Sequence, residues 1–139
     1  MKIITTLLLV CSYSFLLAQD NLVDQLKADV LRSKSMTLAY VNSFPEERLN
    51  DRPGEGSRTF AEQVLHMSQG MINLSSNGFG TERLYTKVNL ESDSTYFNRS
   101  SLLAIVEESH AYVLNGLDEL DETTLYETVT KGPFEITRL

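Results

Sequence analysis

The sequence predicts an all-α chain, and three observations carry that expectation: three long stretches repeat apolar residues at spacings of three and four, no stretch sustains strand-like alternation, and the breaks between stretches carry proline or glycine. With 139 residues, 42% hydrophobic and 22% charged, the chain has the size and composition of one ordinary globular domain. Its 19 acidic residues outnumber 12 Lys and Arg, for a formal charge of −7, and no basic cluster typical of nucleic-acid binders stands out. Nucleic acid is therefore excluded as an expected partner.

The N-terminus, MKIITTLLLVCSYSFLLAQDN, places Lys2 before an apolar run that ends at Leu17 and is followed by the small residue Ala18. This is the layout of a secretory signal peptide over residues 1–18, with cleavage leaving Gln19 first and residues 19–139 as the mature domain. The run of 15 residues is short of the roughly 20 needed to cross a bilayer, so no stable membrane span is expected. Lipidation at Cys11 is disfavoured by bulky Val10 before it. Cys11 is the single cysteine, so a mature chain without it has no disulfide framework and depends on packing, or packing plus a metal.

The first helix is read over residues 21–44, with Val23, Leu26, Val30, Ser33, Thr37, Tyr40 and Phe44 on one face and Pro45 as its stop. Ser33 and Thr37 make the middle of that seam polar. Their hydroxyls either bond back to the preceding turn, the commoner outcome, or line a cavity. The second helix begins abruptly after Pro53, Gly54 and Gly56, where Thr59 and Glu62 form a T-x-x-E capping box and Phe60 is the first helical residue. Phe60, Val64, Met67, Met71 and Leu74 form its predicted seam, Ala61, Leu65 and Ile72 widen it, and residues 75–78 end it. His66 falls off this seam, on the polar flank with Gln63, Gly70 and Asn73.

The third helix is predicted from a cap at Ser100 or Ser101 to about Leu120, with Leu103, Val106, His110, Val113 and Leu117 in its seam. A lone histidine on such a face is more often a hydrogen-bonded core residue than a ligand. Residues 77–99 form a long connection, expected to tuck Phe79, Tyr85, Tyr96 and Phe97 onto the bundle and to carry a short helical turn near residues 82–88. No nucleophile elbow, phosphate-binding glycine loop or H-E-x-x-H motif occurs. The adjacent pairs Glu46-Glu47, Glu107-Glu108 and Asp121-Glu122 read as solvated charges, and no catalytic residue is assigned.

The stretch SFPEERLNDRPGEGSRTFAEQVLHM at residues 43–67, with SSLLAIVEESHAYVLNGLDELDETTLYETV at residues 100–129, resembles the DinB/YfiT-like superfamily of metalloenzymes. The resemblance implies a DinB-like up-down four-helix bundle, of which this chain holds three helices and the start of the fourth. It also implies that His66 binds a divalent metal, zinc or nickel, together with two histidines of an H-x-x-x-H pair on the last helix. Histidines four apart share a helix face, and three neutral imidazoles leave an open position for water or a thiol. The sequence runs to TKGPFEITRL without that pair, so only His66 carries over and the shell is incomplete. The implied activity is thiol transfer or hydrolysis on an unidentified small-molecule substrate. The alternative is a non-catalytic bundle that works through its surface. Without a last helix, apolar surface on the second and third helices would need a cover, and a homodimer is one way to supply it.

Overall fold

The computed structural model describes residues 22–120, 122–131 and 134–137; the signal peptide expected at residues 1–18 lies outside them. Three helices form the body: α1 (Leu22–Ser43), α2 (Phe60–Phe79) and α3 (Arg99–Asp118). A two-stranded antiparallel hairpin follows, β1 (Thr128–Lys131) paired with β2 (Phe134–Thr137) so that Val129 faces Ile136. The all-α reading thus holds for the body. The start of a fourth helix does not appear in residues 128–131 or 134–137, because β-branched Thr128, Val129, Thr130, Ile136 and Thr137 favour extended backbone over a helical turn.

Each helix ends for a readable reason. Pro45 stops α1, and the chain then makes a short 3₁₀ turn over Glu46–Arg48 that seats fully buried Leu49. The predicted capping box starts α2: the Glu62 amide donates to the Thr59 hydroxyl at 3.1 Å, and the Thr59 amide donates to the Glu62 carboxylate at 2.7 Å. At its other end α2 runs past the predicted stop to Phe79, and Gly80 closes it in the left-handed region at φ 69°. The cap of α3 is Asn98, whose side chain accepts from the Ser101 amide at 3.0 Å, rather than Ser100 or Ser101 themselves.

α3 is the centre of the body, with α1 and α2 packed on either side of it. Ala61, Val64 and Leu65 share a cluster with Leu102, Ile105, Val106 and Val41, while Phe79 lies against the far end of α3 with Val113, Leu117 and Val23. α2 and α3 therefore run parallel, and α1 runs antiparallel to both. This departs from a strict up-down order: residues 80–98 carry the chain back along the body before α3 begins. At Gly116 the contact is so close that a Cβ would lie 2.2 Å from the Phe79 ring, so only glycine fits.

The core face of α2 is rotated from the predicted seam. Ala61, Val64, Leu65, Ser68, Ile72 and Ser76 are buried, while Met67 and Leu74 are exposed. Small Ser68 and Ser76 take interior places on this face. The exposed apolar surface consequently lies on α2 as expected, at Met67, but also on α1, at Met36 and Tyr40, and among the described residues α3 exposes no large apolar side chain. These residues border a groove of about 420 Å³ between α1 and α2, which Ser33 and Thr37 also line. Of the two readings of that polar middle, the cavity-lining one describes their position.

Arg99 ties α1 to α3. Its guanidinium donates to the carbonyls of Val41 at 2.7 Å, Asn42 at 2.5 Å and Phe44 at 2.7 Å, and reaches Glu46 at 3.3 Å. It thereby satisfies carbonyls that the end of α1 leaves without helical partners and meets the negative end of its dipole. Arg99→Ala is expected to destabilise the chain by about 2 kcal/mol, the scale of lost charged hydrogen bonds at a side chain only 22% exposed. Arg99→Lys should restore less than half, because one ammonium cannot span the same carbonyls; urea denaturation of both variants measures this.

Candidate functional site around His66

His66 stands on α2 two turns after the helix start, and its side chain is 48% exposed. Capping at Thr59 fixes the helix phase, which turns His66 away from α3 as the sequence predicted. Two loop-borne charges meet it. Nδ1 lies 3.2 Å from the Glu91 carboxylate and 3.2 Å from an Arg58 terminal nitrogen, while Arg58 Nε donates to Glu91 at 2.6 Å. The two contacts at Nδ1 are alternatives: a protonated Nδ1 donates to Glu91, and a bare Nδ1 accepts from Arg58. Either way Nδ1 is engaged, and Nε2 has no partner among the described residues.

Glu91 reaches this position because the loop is pinned on both sides of it. The Gln69 side chain, one helical turn after His66, donates to the Val88 carbonyl at 2.6 Å and accepts from the Leu90 amide at 2.9 Å. Leu90 itself is fully buried in the core. The 3₁₀ turn over Leu90–Ser92 then presents Glu91 to α2. His66, Gln69, Asn73, Asn89 and Glu91 line a polar cleft of about 290 Å³.

Sequence reading singled out His66 and missed Glu91, Arg58 and Gln69 as its neighbours. The spacing of His66 and Gln69, three apart on one helix face, was a usable clue. Glu91 left none, because its place is set by a buried leucine in a long connection. His110 is a core residue: it is 1% exposed and its Nδ1 meets the Val106 carbonyl at 2.7 Å. Of the acidic pairs, Glu46 meets Arg99, Glu107 meets Lys34 and Glu108 meets Tyr85; Asp121 lies outside the described residues.

A metal centre built on His66 needs about three protein ligands. Among the described residues no group of three or more His, Cys, Asp or Glu could hold a metal ion. His66 and Glu91 supply two donors at one cleft, and Arg58 already holds the second. The residues thus fit as part of a metal shell and, among the described residues, do not make a complete one. Among the described residues no helix is long and apolar enough to cross a membrane.

The Arg58 guanidinium, and secondarily His66, hold the Glu91 carboxyl below the usual carboxylate range. A folded-state pKa below the unfolded one means that the unfolded chain binds the proton first. The stabilisation from Glu91 is therefore complete above the unfolded pKa of about 4.3 and is lost as pH falls through the lowered folded value. Glu91→Gln should flatten this part of the acid limb, as read from urea midpoints between about pH 3 and 6.

A family model described as DinB superfamily matches residues 30–139, which is most of the chain. No curated protein and no solved structure matches it. The match takes in α1 from Val30 onward, all of α2 and α3, the capped loop and the histidine, arginine and glutamate that meet at the cleft, and on this ground the chain belongs to the DinB superfamily.

Proposed function

We propose that the chain is an exported protein acting as a divalent-metal-dependent enzyme of the thiol-transfer or hydrolysis type on a small-molecule substrate, with His66 as one metal ligand. The observation that supports this reading is the imidazole itself: Nδ1 is placed to donate to Glu91 at 3.2 Å, the tautomer that leaves Nε2 unprotonated and, among the described residues, without a partner, and His66 lines a polar cleft. Ligating histidines commonly donate their second ring N–H to a carboxylate, which fixes the tautomer and raises the basicity of the ligating nitrogen. A bound zinc or nickel would supply Lewis acidity, lowering the pKa of a thiol or water. The chain's own residues orient the ring: Glu91 and Arg58 set its rotation, and Gln69 holds the loop that carries Glu91.

The reading requires further ligands from outside the described residues. The groove between α1 and α2 suits an element that brings them, since Met67 lines that groove and His66 is the residue just before it in the chain. A second reading, a non-catalytic bundle that associates through this face, with a homodimer as one form, is favoured by the exposure of Met36, Tyr40 and Met67.

Calorimetric titration separates the two. Residues 19–139 are expected to bind zinc or nickel weakly, and a chain extended by an H-x-x-x-H helix to bind tightly. His66→Ala should abolish tight binding, whereas His110→Ala should leave it and lower stability, as a buried residue does. Metal binding indifferent to His66 would favour the second reading.

Export rests on residues 1–18. Protein recovered from the host should begin at Gln19 by mass spectrometry; recovery mainly as an intact form starting at Met1, or as a chain lipidated at Cys11, would sink this expectation.

A further inference from the structure

Arg48, Arg52 and Arg58 come from a single stretch of eleven residues and line one open cleft of about 940 Å³ where α2 begins. In a chain of formal charge −7 this local concentration of guanidinium groups runs against the overall balance. The carboxylates that pair with Arg52 and Arg58 are Glu62 and Glu91, at 2.6 Å each, and neither lines the cleft; Asp51 is its one acidic lining residue. The cleft surface thus presents three guanidinium groups against one carboxylate.

The donor inventory shows which of the three have capacity to spare. Arg52 is committed to the Ser57 carbonyl and Glu62, and so braces the loop. Arg48 spends only Nε, on Asp51 at 3.2 Å, in a pair whose side chains are 65% and 60% exposed. Both terminal nitrogens of Arg48 lack partners among the described residues. Arg58 spends Nε on Glu91 and one terminal nitrogen on His66, leaving the other. An exposed pair such as Arg48 with Asp51 contributes little to stability, so an incoming anion can replace Asp51 at small cost. The cleft also has an apolar wall: the Phe44 and Phe60 rings stack with centroids 3.9 Å apart and planes 11° from parallel.

We infer that this cleft binds a small organic oxyanion, a carboxylate or phosphate monoester with an apolar body, held by Arg48 and Arg58 through charge-assisted hydrogen bonds while the body lies against Phe44 and Phe60. The site needs no metal. Arg58, which also touches His66 at Nδ1, links this cleft to the imidazole.

Titration calorimetry on the purified chain at low salt, with phenylacetate, phenyl phosphate, inorganic phosphate and neutral phenylacetamide, tests this. One or both aryl anions should bind and phenylacetamide should not. Arg48→Gln should weaken binding about tenfold or more, the scale of a lost charged hydrogen bond. Arg48→Lys should fall between, and Arg32→Gln, at an exposed arginine on α1, should change nothing. Phe44→Leu should weaken the aryl anions and spare inorganic phosphate. Tighter phenyl phosphate assigns the ligand class to phosphate monoesters, and tighter phenylacetate to carboxylates. Failure of both aryl anions to bind at millimolar concentration, or binding untouched by Arg48→Gln and Arg48→Lys, would overturn the inference.

Discussion

The Arg99 guanidinium, seated on the carbonyls of Val41, Asn42 and Phe44, is the interaction on which the arrangement of the body depends. It joins the end of α1 to the start of α3, and it does so with polar groups that would otherwise have to be solvated at a helix terminus. α1 makes few direct contacts with α2, so its orientation comes from α3. With α1 fixed at that end, Lys34 and Lys27 can meet Glu107 and Asp118 further along, which keeps the two helices antiparallel over their length. The same end of the body receives the start of α2 through the Phe44–Phe60 stack and the Ala61 amide, which donates to the Leu49 carbonyl at 3.0 Å. One terminus of the bundle is therefore heavily bonded, and the loop that connects α1 to α2 has little freedom there.

That rigidity is what makes the cleft residues definite. Arg52 bonds the Ser57 carbonyl and the Glu62 carboxylate, and Glu62 simultaneously caps α2 through Thr59. Arg52 and the Thr59 amide together hold the Glu62 carboxyl below the ordinary carboxylate range, the Thr59 bond being the larger cause. A residue that serves the cap and the loop at once cannot move without disturbing both. Arg58 then leaves the loop in a fixed direction, toward Glu91 and His66. The candidate site is thus built from the opening turns of α2 and a loop pinned by Leu90 and Gln69, with helix phase on one side and core burial on the other.

How much of this was legible follows from the range of each interaction. The capping box of Thr59 and Glu62 is local, and the start of α2 at Phe60 could be read directly. The off-seam position of His66 and the buried position of His110 follow from helix period alone. The face of α2 that enters the core could not be read in the same way. Hydrophobicity favoured Met67 and Leu74, but Ser68 and Ser76 took interior places, which the apolar pattern alone does not reveal. Asn98 as the α3 cap was obscured by two serines that also suit that role. The parallel course of α2 and α3 depends on how residues 80–98 are anchored, and that anchor is a contact between Gln69 and backbone groups 19 and 21 residues away.

The exposed face of α1 and α2 follows from the same geometry. Two helices that both pack on a third, and little on one another, must leave a valley between them on the side the third does not reach. Apolar residues at helical spacing on both walls, Met36 and Tyr40 on one and Val64 and Met67 on the other, make that valley a surface with a net gain on being covered. Tyr40 is 62% exposed there, and a phenol ring can trade water for an apolar neighbour while keeping its hydroxyl wet. Methionine adds adaptability, since its unbranched thioether conforms to more than one partner shape. Gln63 borders both this valley and the arginine-lined cleft. The valley and the arginine-lined cleft therefore adjoin along one side of α2, and an element that covers the valley would lie beside that cleft at Gln63.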